Sequence, residues 1–260
     1  MNNACFEVSL ENVLLKMDPF PYTLKDGFLD HDHALTLQRE ILDIDGACWD
    51  RYDNPFEQKY TLRDKFNMPP LLTKLFHQLT SEDFVRQLSR LVGIPLVLDT
   101  TRNFWGVHLY GPGDKLDIHV DAGLHPTLGL KKQVTLGLYL SKDWTEDCGC
   151  ALEIWRGENS VSNDARIFEK VDSIAPMFNR LVLFLNNDYS WHGNPEPATC
   201  GPDSRRIFVT LSYLSEVFVD ENKRVKAFFV ARPDDPSDEK KDKMRLLRAD
   251  PEKYKEIYRV

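Results

Sequence analysis

His119 and Asp121 stand one residue apart in the run Leu116-Asp117-Ile118-His119-Val120-Asp121. In an extended strand, residues two apart project to the same side with their backbones about 7 Å apart, near enough for an imidazole and a carboxylate to hold one ion. A third donor has to come from elsewhere, and His192 is the one histidine beyond residue 125. It follows the apolar run Leu181–Leu185 and the polar turn Asn186–Ser190. Two imidazoles and one carboxylate leave several coordination positions open, as oxygen-activating iron(II) requires, whereas zinc sites close or keep a single position. The spacing predicts a mononuclear non-haem iron(II) centre at His119, Asp121 and His192. No catalytic residue is expected beyond these ligands.

The other histidines fit different roles. His31 and His33 lie at the start of a predicted helix, His77 lies on a second helix, and His125 lies in a loop. His108 shares a strand face with Tyr110 and is read as lining the pocket, not as a metal ligand. Beyond His192, in the run from Ser204 to Ser212, alternation puts Arg205 in phase with Ile207, Val209 and Leu211, and Arg206 in phase with Thr210 and Ser212 on the polar face. A guanidinium turned into a cavity calls for a carboxylate, because its planar fork matches two oxygens and an unpaired buried cation is costly. A dicarboxylate cosubstrate chelating the metal at one end and meeting Arg206 at the other would satisfy both groups. Tyr139 would offer a hydroxyl from a neighbouring strand. An internal ion pair at Arg206 is the alternative.

The elements that must position these side chains are legible as two kinds of periodicity. From about Asn103 onward the pattern is that of two-faced strands. Leu116, Ile118 and Val120 point one way and Asp117, His119 and Asp121 the other; Val134, Leu136, Leu138 and Leu140 oppose Gln133, Thr135, Gly137 and Tyr139. Leu181–Leu185 is apolar throughout and reads as a strand buried on both sides. The first hundred residues have helical spacing instead: Ala34, Leu37 and Ile41 form one stripe, and Leu72, Leu75, Phe76 and Leu79 another. A third helix carries Phe84, Leu88, Leu91 and Val92, with Ser81 as its N-cap and Gly93 where a left-handed C-terminal cap is usual. Strands with one apolar face toward helices and one polar face turned inward predict a small barrel with a site in its mouth.

At 260 residues and 42% hydrophobic content the chain can bury one core. A single domain over residues 1–232 is expected, with a helical lead-in over 1–100 and a barrel over about 101–216. Residues 233–260, dense in charge, are expected to form a solvated helical tail. The formal charge of −8 disfavours nucleic acid as a partner. Five cysteines, an odd number without C-x-x-C repeats, suit a reducing cytosol and ordinary packing. The first residues lack a leader pattern and no segment is long enough to span a bilayer, so a cytoplasmic protein without a membrane partner is expected. The oligomeric state is not specified by these features.

The ordered set Tyr110-Gly111-Pro112-Gly113-Asp114, His119-Val120-Asp121, Leu138-Tyr139-Leu140-Ser141-Lys142-Asp143-Trp144, His192 and Arg206 resembles the 2-oxoglutarate and iron(II)-dependent dioxygenases, and among them the prolyl 4-hydroxylase-like branch. The resemblance spans roughly residues 104 to 216. Ser81-Glu82-Asp83-Phe84 and Gly93-Ile94 are similar, more faintly, to the helical lead-in of protein prolyl hydroxylases. It implies a double-stranded β-helix, a jelly-roll or cupin-like barrel, mainly β with flanking N-terminal helices and a C-terminal helical tail. It further implies iron at His119, Asp121 and His192, with 2-oxoglutarate held by Arg206 and Tyr139 and approached by Tyr110 and Thr210. Dioxygen would be the second cosubstrate and ascorbate a reductant. Two departures are visible. Gly149 is followed by Cys150 where the family has paired glycines, and His192 and Arg206 are 14 residues apart, a longer interval than usual that leaves Arg205 as a possible substitute.

The activity so implied is oxidative decarboxylation of 2-oxoglutarate coupled to hydroxylation of an unactivated C–H bond. A prolyl residue in a protein or peptide is the first choice of substrate. Hydroxylation of a free amino acid or other small metabolite is the alternative, and a non-catalytic barrel that senses 2-oxoglutarate or binds a partner is a third reading. The loop 122–132 is expected to wall the substrate through His125, and Trp105 and Trp191 to shape the mouth.

Overall fold

The computed structural model describes residues 6–218, 221, 223–250 and 253. Three helices precede the barrel: α1 (His31–Leu42), α2 (Pro70–Leu79) and α3 (Glu82–Val92). The predicted stripes are buried as Ala34, Leu37 and Ile41 on α1 and Leu72, Leu75, Phe76 and Leu79 on α2, while on α3 Phe84 and Leu88 are buried and Leu91 and Val92 only partly so. Ser81 caps α3 by accepting from the Phe84 N–H at 3.3 Å, and Gly93 ends it at φ +70°, where a side chain would be strained.

The helical lead-in is not purely helical. Four strands lie within the first hundred residues: β1 (Tyr22–Lys25), β2 (Trp49–Asn54), β3 (Glu57–Leu62) and β4 (Val97–Leu98). The β2–β3 hairpin is polar and its outer strand largely exposed, so it lacks the apolar alternation by which strands are recognised. The rest of the sheet comprises β5 (Trp105–Tyr110), β6 (Lys115–Val120), β7 (Lys131–Tyr139), β8 (Leu152–Gly157), β9 (Ile167–Ile174), β10 (Arg180–Leu185), β11 (Trp191–Asn194), β12 (Arg206–Ser215) and β13 (Phe228–Phe229).

The strand order is β1-β10-β7-β12-β5-β3-β6-β11-β8-β9, all neighbours antiparallel. The sheet curls into the double-stranded β-helix, with β3 joining its two halves. Val134, Leu136 and Leu138 of β7, Leu181, Leu183 and Leu185 of β10, and Ile207, Val209 and Leu211 of β12 form one apolar cluster with the helix stripes. Their alternate neighbours face the barrel interior. Burying a Leu side chain fully contributes about 1.5–3 kcal/mol, so this interface fixes which face of each strand points inward.

The charged tail forms α4 (Glu239–Ala249), but not as a freely solvated helix. Arg245 and Arg248 are buried. Lys241 Nζ lies 2.6 Å from Asp117 Oδ2, Arg245 Nη2 lies 3.7 Å from the same oxygen, and Arg248 Nη2 lies 3.5 Å from Glu57 Oε1. The charges that made the segment look solvated anchor it to the barrel. No helix among the described residues is long and apolar enough to cross a membrane.

Candidate active site

β6 and β11 pair so that His192 stands directly opposite His119. The two imidazoles lie 4.5 Å apart, centroid to centroid, against Phe184 and Phe229. The register then slips, placing Asn194 opposite Leu116, so β6 carries an extra residue between them. That bulge corrects the simple alternation expected along β6. Leu116 lines the cavity while Asp117 turns outward to the cations of α4. His119 and Asp121 lie beyond the bulge and stay in phase.

Donor atoms of His119, Asp121 and His192 lie within 4.8 Å of one another. The Nδ1 atoms of both histidines are taken by their own strands, His119 with the Asp117 carbonyl at 2.8 Å and His192 with the Ser190 carbonyl at 2.7 Å. With Nδ1–H donating to a carbonyl, each Nε2 carries the lone pair a metal requires. Burial, reinforced by the neighbouring His119, pushes His192 down to about 3, so it is neutral at physiological pH. Burial alone would raise Asp121, but the Lys132 ammonium at 2.6 Å from Oδ2 and the two imidazoles hold it well below the usual carboxylate range. Oδ1 lies 3.5 Å from His119 Nε2. Two imidazoles presenting Nε2 and an ionised carboxylate form a donor set that fits a divalent ion.

Arg206 opens onto the same cavity from β12. It is 2% exposed and stacks between Tyr110, 4.6 Å away, and Tyr139, 4.8 Å away, with Phe208 beyond. Its Nη2 donates to the Tyr139 hydroxyl at 3.3 Å, while Nε and Nη1 have no partner. No ion pair meets it among the described residues, so the internal-pair alternative does not hold. A buried guanidinium with two unused donors fits a carboxylate ligand. Burial pushes the phenols of Tyr110 and Tyr139 up, keeping both as O–H donors. Arg205 instead points away, donating to the carbonyls of Pro202 and Ser204. Gly137 matters here because a Cβ in its place would lie 2.0 Å from the Phe208 ring, which closes the pocket beside Arg206.

The cavity measures about 320 Å³. Of the remaining expected residues, Trp105 and His108 line it, as does Thr210, whose hydroxyl donates to the Leu136 carbonyl at 2.7 Å. Burial pushes His108 well below its ordinary value and its Nδ1 has no partner, so it is a neutral imidazole facing the pocket. His125 and Trp191 are corrections. His125 is fully buried beside the cavity wall: Nδ1 accepts from the N–H groups of Thr127 and Leu128, and Nε2 meets Asp99 and Thr101. It locks its own loop. Trp191 is also fully buried, donates through Nε1 to the Glu158 carbonyl at 2.8 Å and packs on Phe228 in a separate cluster. Neither lines the cavity.

Sequence reasoning missed Lys59, Lys65 and Arg248, which line the cavity, and the pairing of Lys132 with Asp121. Lys132 was hidden by phase, since simple alternation puts it with Val134 and Leu136 on the apolar face and only a register shift in β7 turns it to the cavity. The cysteines also differ from expectation: Cys148 and Cys200 form a disulfide, with Cα atoms 4.7 Å apart, so unpaired packing does not describe them. Gly149 and Cys150 both adopt positive φ, +67° and +55°, which accounts for paired glycines being suited to this turn. Cys150 is held there by burial and by a hydrogen bond from Asn194 to its sulfur at 3.1 Å.

Comparison with known proteins agrees with this geometry. Residues 105–213 match the model of the 2OG-Fe(II) oxygenase superfamily. Comparison with the curated proteins finds no match. Among solved structures, the chain is similar to a prolyl-4-hydroxylase from Pseudomonas putida, at 18% identity and TM-score 0.54, covering 75% of this chain and 93% of that one. It is also similar to a Trichoplax adhaerens prolyl hydroxylase in complex with a hypoxia inducible factor oxygen degradation domain peptide fragment, at 18% identity and TM-score 0.55, covering 75% and 84%. A third likeness is to HygX from Streptomyces hygroscopicus with nickel and 2-oxoglutarate bound, at 13% identity and TM-score 0.51, covering 76% and 84%. At these identities the likenesses are of fold. Residues 105–213 thus match a 2OG-Fe(II) oxygenase domain, set in a prolyl-hydroxylase-like fold, and the enzyme is an iron- and 2-oxoglutarate-dependent dioxygenase.

Proposed function

We propose that this enzyme hydroxylates an unactivated C–H bond of a prolyl residue in a protein or peptide, with iron held by His119, Asp121 and His192 and 2-oxoglutarate held by Arg206 and Tyr139. The observation that carries the site assignment is the shared cavity: a His-Asp-His cluster and a buried guanidinium lacking a carboxylate both line it. Iron(II) bound there supplies dioxygen activation coupled to decarboxylation of 2-oxoglutarate to succinate and carbon dioxide, one oxygen atom entering the substrate.

The chain's own residues then have defined tasks. Nδ1–H bonds to backbone carbonyls keep His119 and His192 presenting Nε2, and Lys132 keeps Asp121 ionised. Arg206 orients the far carboxylate of 2-oxoglutarate, with Tyr139 and Tyr110 as neutral donors around it. Phe184, Phe208 and Phe229 restrict water around these polar groups. The prolyl preference is supported by fold likeness to prolyl hydroxylases, one of them with a peptide bound. The test is a panel of proline peptides, free amino acids and nucleosides incubated with iron(II) and 2-oxoglutarate, scored by succinate release and by a one-oxygen mass gain. Oxygen gain on a proline peptide is expected. Gain only on a free amino acid would replace the prolyl assignment, and full activity of Asp121→Ala would overturn the ligand set.

A further inference from the structure

The protein carries a net charge of −8, yet its active-site cavity is cationic. Lys59, Lys65, Lys132, Arg206 and Arg248 line it against two carboxylates, Glu57 and Asp121. Bound iron(II) and 2-oxoglutarate would bring opposite charges of equal size and leave that imbalance standing. Lys132 is taken by Asp121 at 2.6 Å. Lys59 and Arg248 share Glu57, at 3.0 and 3.5 Å. Arg206 belongs to the cosubstrate under the reading above.

Lys65 is left. It is half-buried in the connection between β3 and α2, and lines the cavity beside Asn103, Phe104 and Trp105. Its ammonium donates to the Asn103 carbonyl at 3.0 Å and forms no ion pair among the described residues. The carboxylate whose field it feels, Asp99, is engaged by His125, Thr101 and the Phe104 N–H. Burial pushes the Lys65 ammonium below its ordinary value, the cost of desolvating a cation with only a neutral acceptor. Trp105 borders the same cavity, with its ring stacked on Phe76 of α2 at 4.8 Å. Beside them Phe66 is 65% exposed and stacked under Arg102, an apolar surface on which a peptide can lie.

We propose that Lys65 is a specificity-determining residue that binds a carboxylate of the substrate, so that the protein acts on acidic peptides. This rests on the oxygenase reading of the cavity, and it names the substrate's charge. Cationic walls of low dielectric also concentrate an anionic ligand against the repulsion of the acidic surface.

The test is fluorescence anisotropy of three labelled proline peptides of equal length, flanked by aspartate, by serine or by lysine. The full chain is used with nickel(II) and 2-oxoglutarate added. The acidic peptide is expected to bind roughly tenfold more tightly than the serine peptide, the scale of one hydrogen bond to a charged group. Lys65→Gln should abolish that preference, and Lys65→Glu should reverse it in favour of the lysine peptide; circular dichroism checks that each variant is folded. Equal binding of the acidic and serine peptides by the unaltered protein would overturn the proposal, as would an unchanged preference in folded Lys65→Gln. Failure of the oxygenase reading registers separately, as no succinate from any peptide with iron(II) while the binding preference persists.

Discussion

The Lys132 ammonium holds Asp121 Oδ2 at 2.6 Å, while Oδ1 of the same carboxylate lies 3.5 Å from His119 Nε2. One oxygen is thereby engaged by a cation and the other is turned toward the histidines. Thr135 Oγ1 supports the first oxygen at 3.3 Å. Replacing Lys132 by Met keeps much of its length and removes the charge, allowing the carboxylate to rotate. Divalent-metal affinity should fall by about 10–100-fold, the range found when a partner of a metal ligand is lost. Titration with nickel(II) by calorimetry measures it. An unchanged affinity would mean that Lys132 does not orient Asp121.

Arg206 and Arg205 separate orientation from mere proximity. Both follow Ser204, but Arg206 is buried between two tyrosines and Arg205 is engaged by loop carbonyls. Arg206→Ala removes a bidentate carboxylate contact and should raise the KM for 2-oxoglutarate by about 100-fold or more, equivalent to roughly 3 kcal/mol. Arg206→Lys should recover part of this, since an ammonium supplies charge without the planar fork. Arg205→Ala should stay within a few-fold of the parent. Succinate release against 2-oxoglutarate concentration gives all three values, and a larger effect from Arg205 would reverse the assignment.

His125 has the opposite character. Its ring joins Asp99 and Thr101 on one side to the N–H groups of Thr127 and Leu128 on the other, all without touching the cavity. His125→Ala leaves a fully buried Asp99 short of a partner and opens a cavity, so a loss of about 2–4 kcal/mol is expected. Urea unfolding checks the stability. Peptide KM at low temperature, where the variant is folded, should change little; a large KM change with full stability would restore His125 to the substrate wall.

These contrasts show where sequence reasoning reaches and where it stops. The stripes on α1, α2 and α3 and the inward phase of Tyr139 and Arg206 follow from periodicity, because burial of one face fixes the other. The opposition of His192 and His119 depends on strand pairing across 73 residues, which no local pattern encodes. Asp117 was misplaced because a bulge shifts phase without altering composition. Trp191 and His125 show that residue type marks neither direction nor partners. The β2–β3 hairpin and α4 were misjudged for one reason: polar segments can be held by ion pairs, such as Lys59 with Glu57 and Lys241 with Asp117, that hydrophobic spacing does not report.

Acid should weaken the metal-free protein earlier than its carboxylates alone would suggest. His192 is pushed down to about 3 and His108 well below 6.5, both chiefly by burial. In the unfolded chain both return toward the ordinary value of 6.5, so between that value and the depressed one the unfolded state binds more protons than the folded state. Stability is therefore fully present above 6.5 and is lost as pH falls through this window. Glu57 does not contribute there, because its folded value of about 2 lies against an ordinary value of 4.5, which confines its effect to more acidic solutions. Near pH 5.5 each histidine should cost about 1 kcal/mol relative to neutral pH. Urea unfolding of chelator-treated protein at pH 7.5 and 5.5 measures the difference, and His108→Leu should roughly halve it. Equal stability at the two pH values would show that neither imidazole is held neutral by the fold.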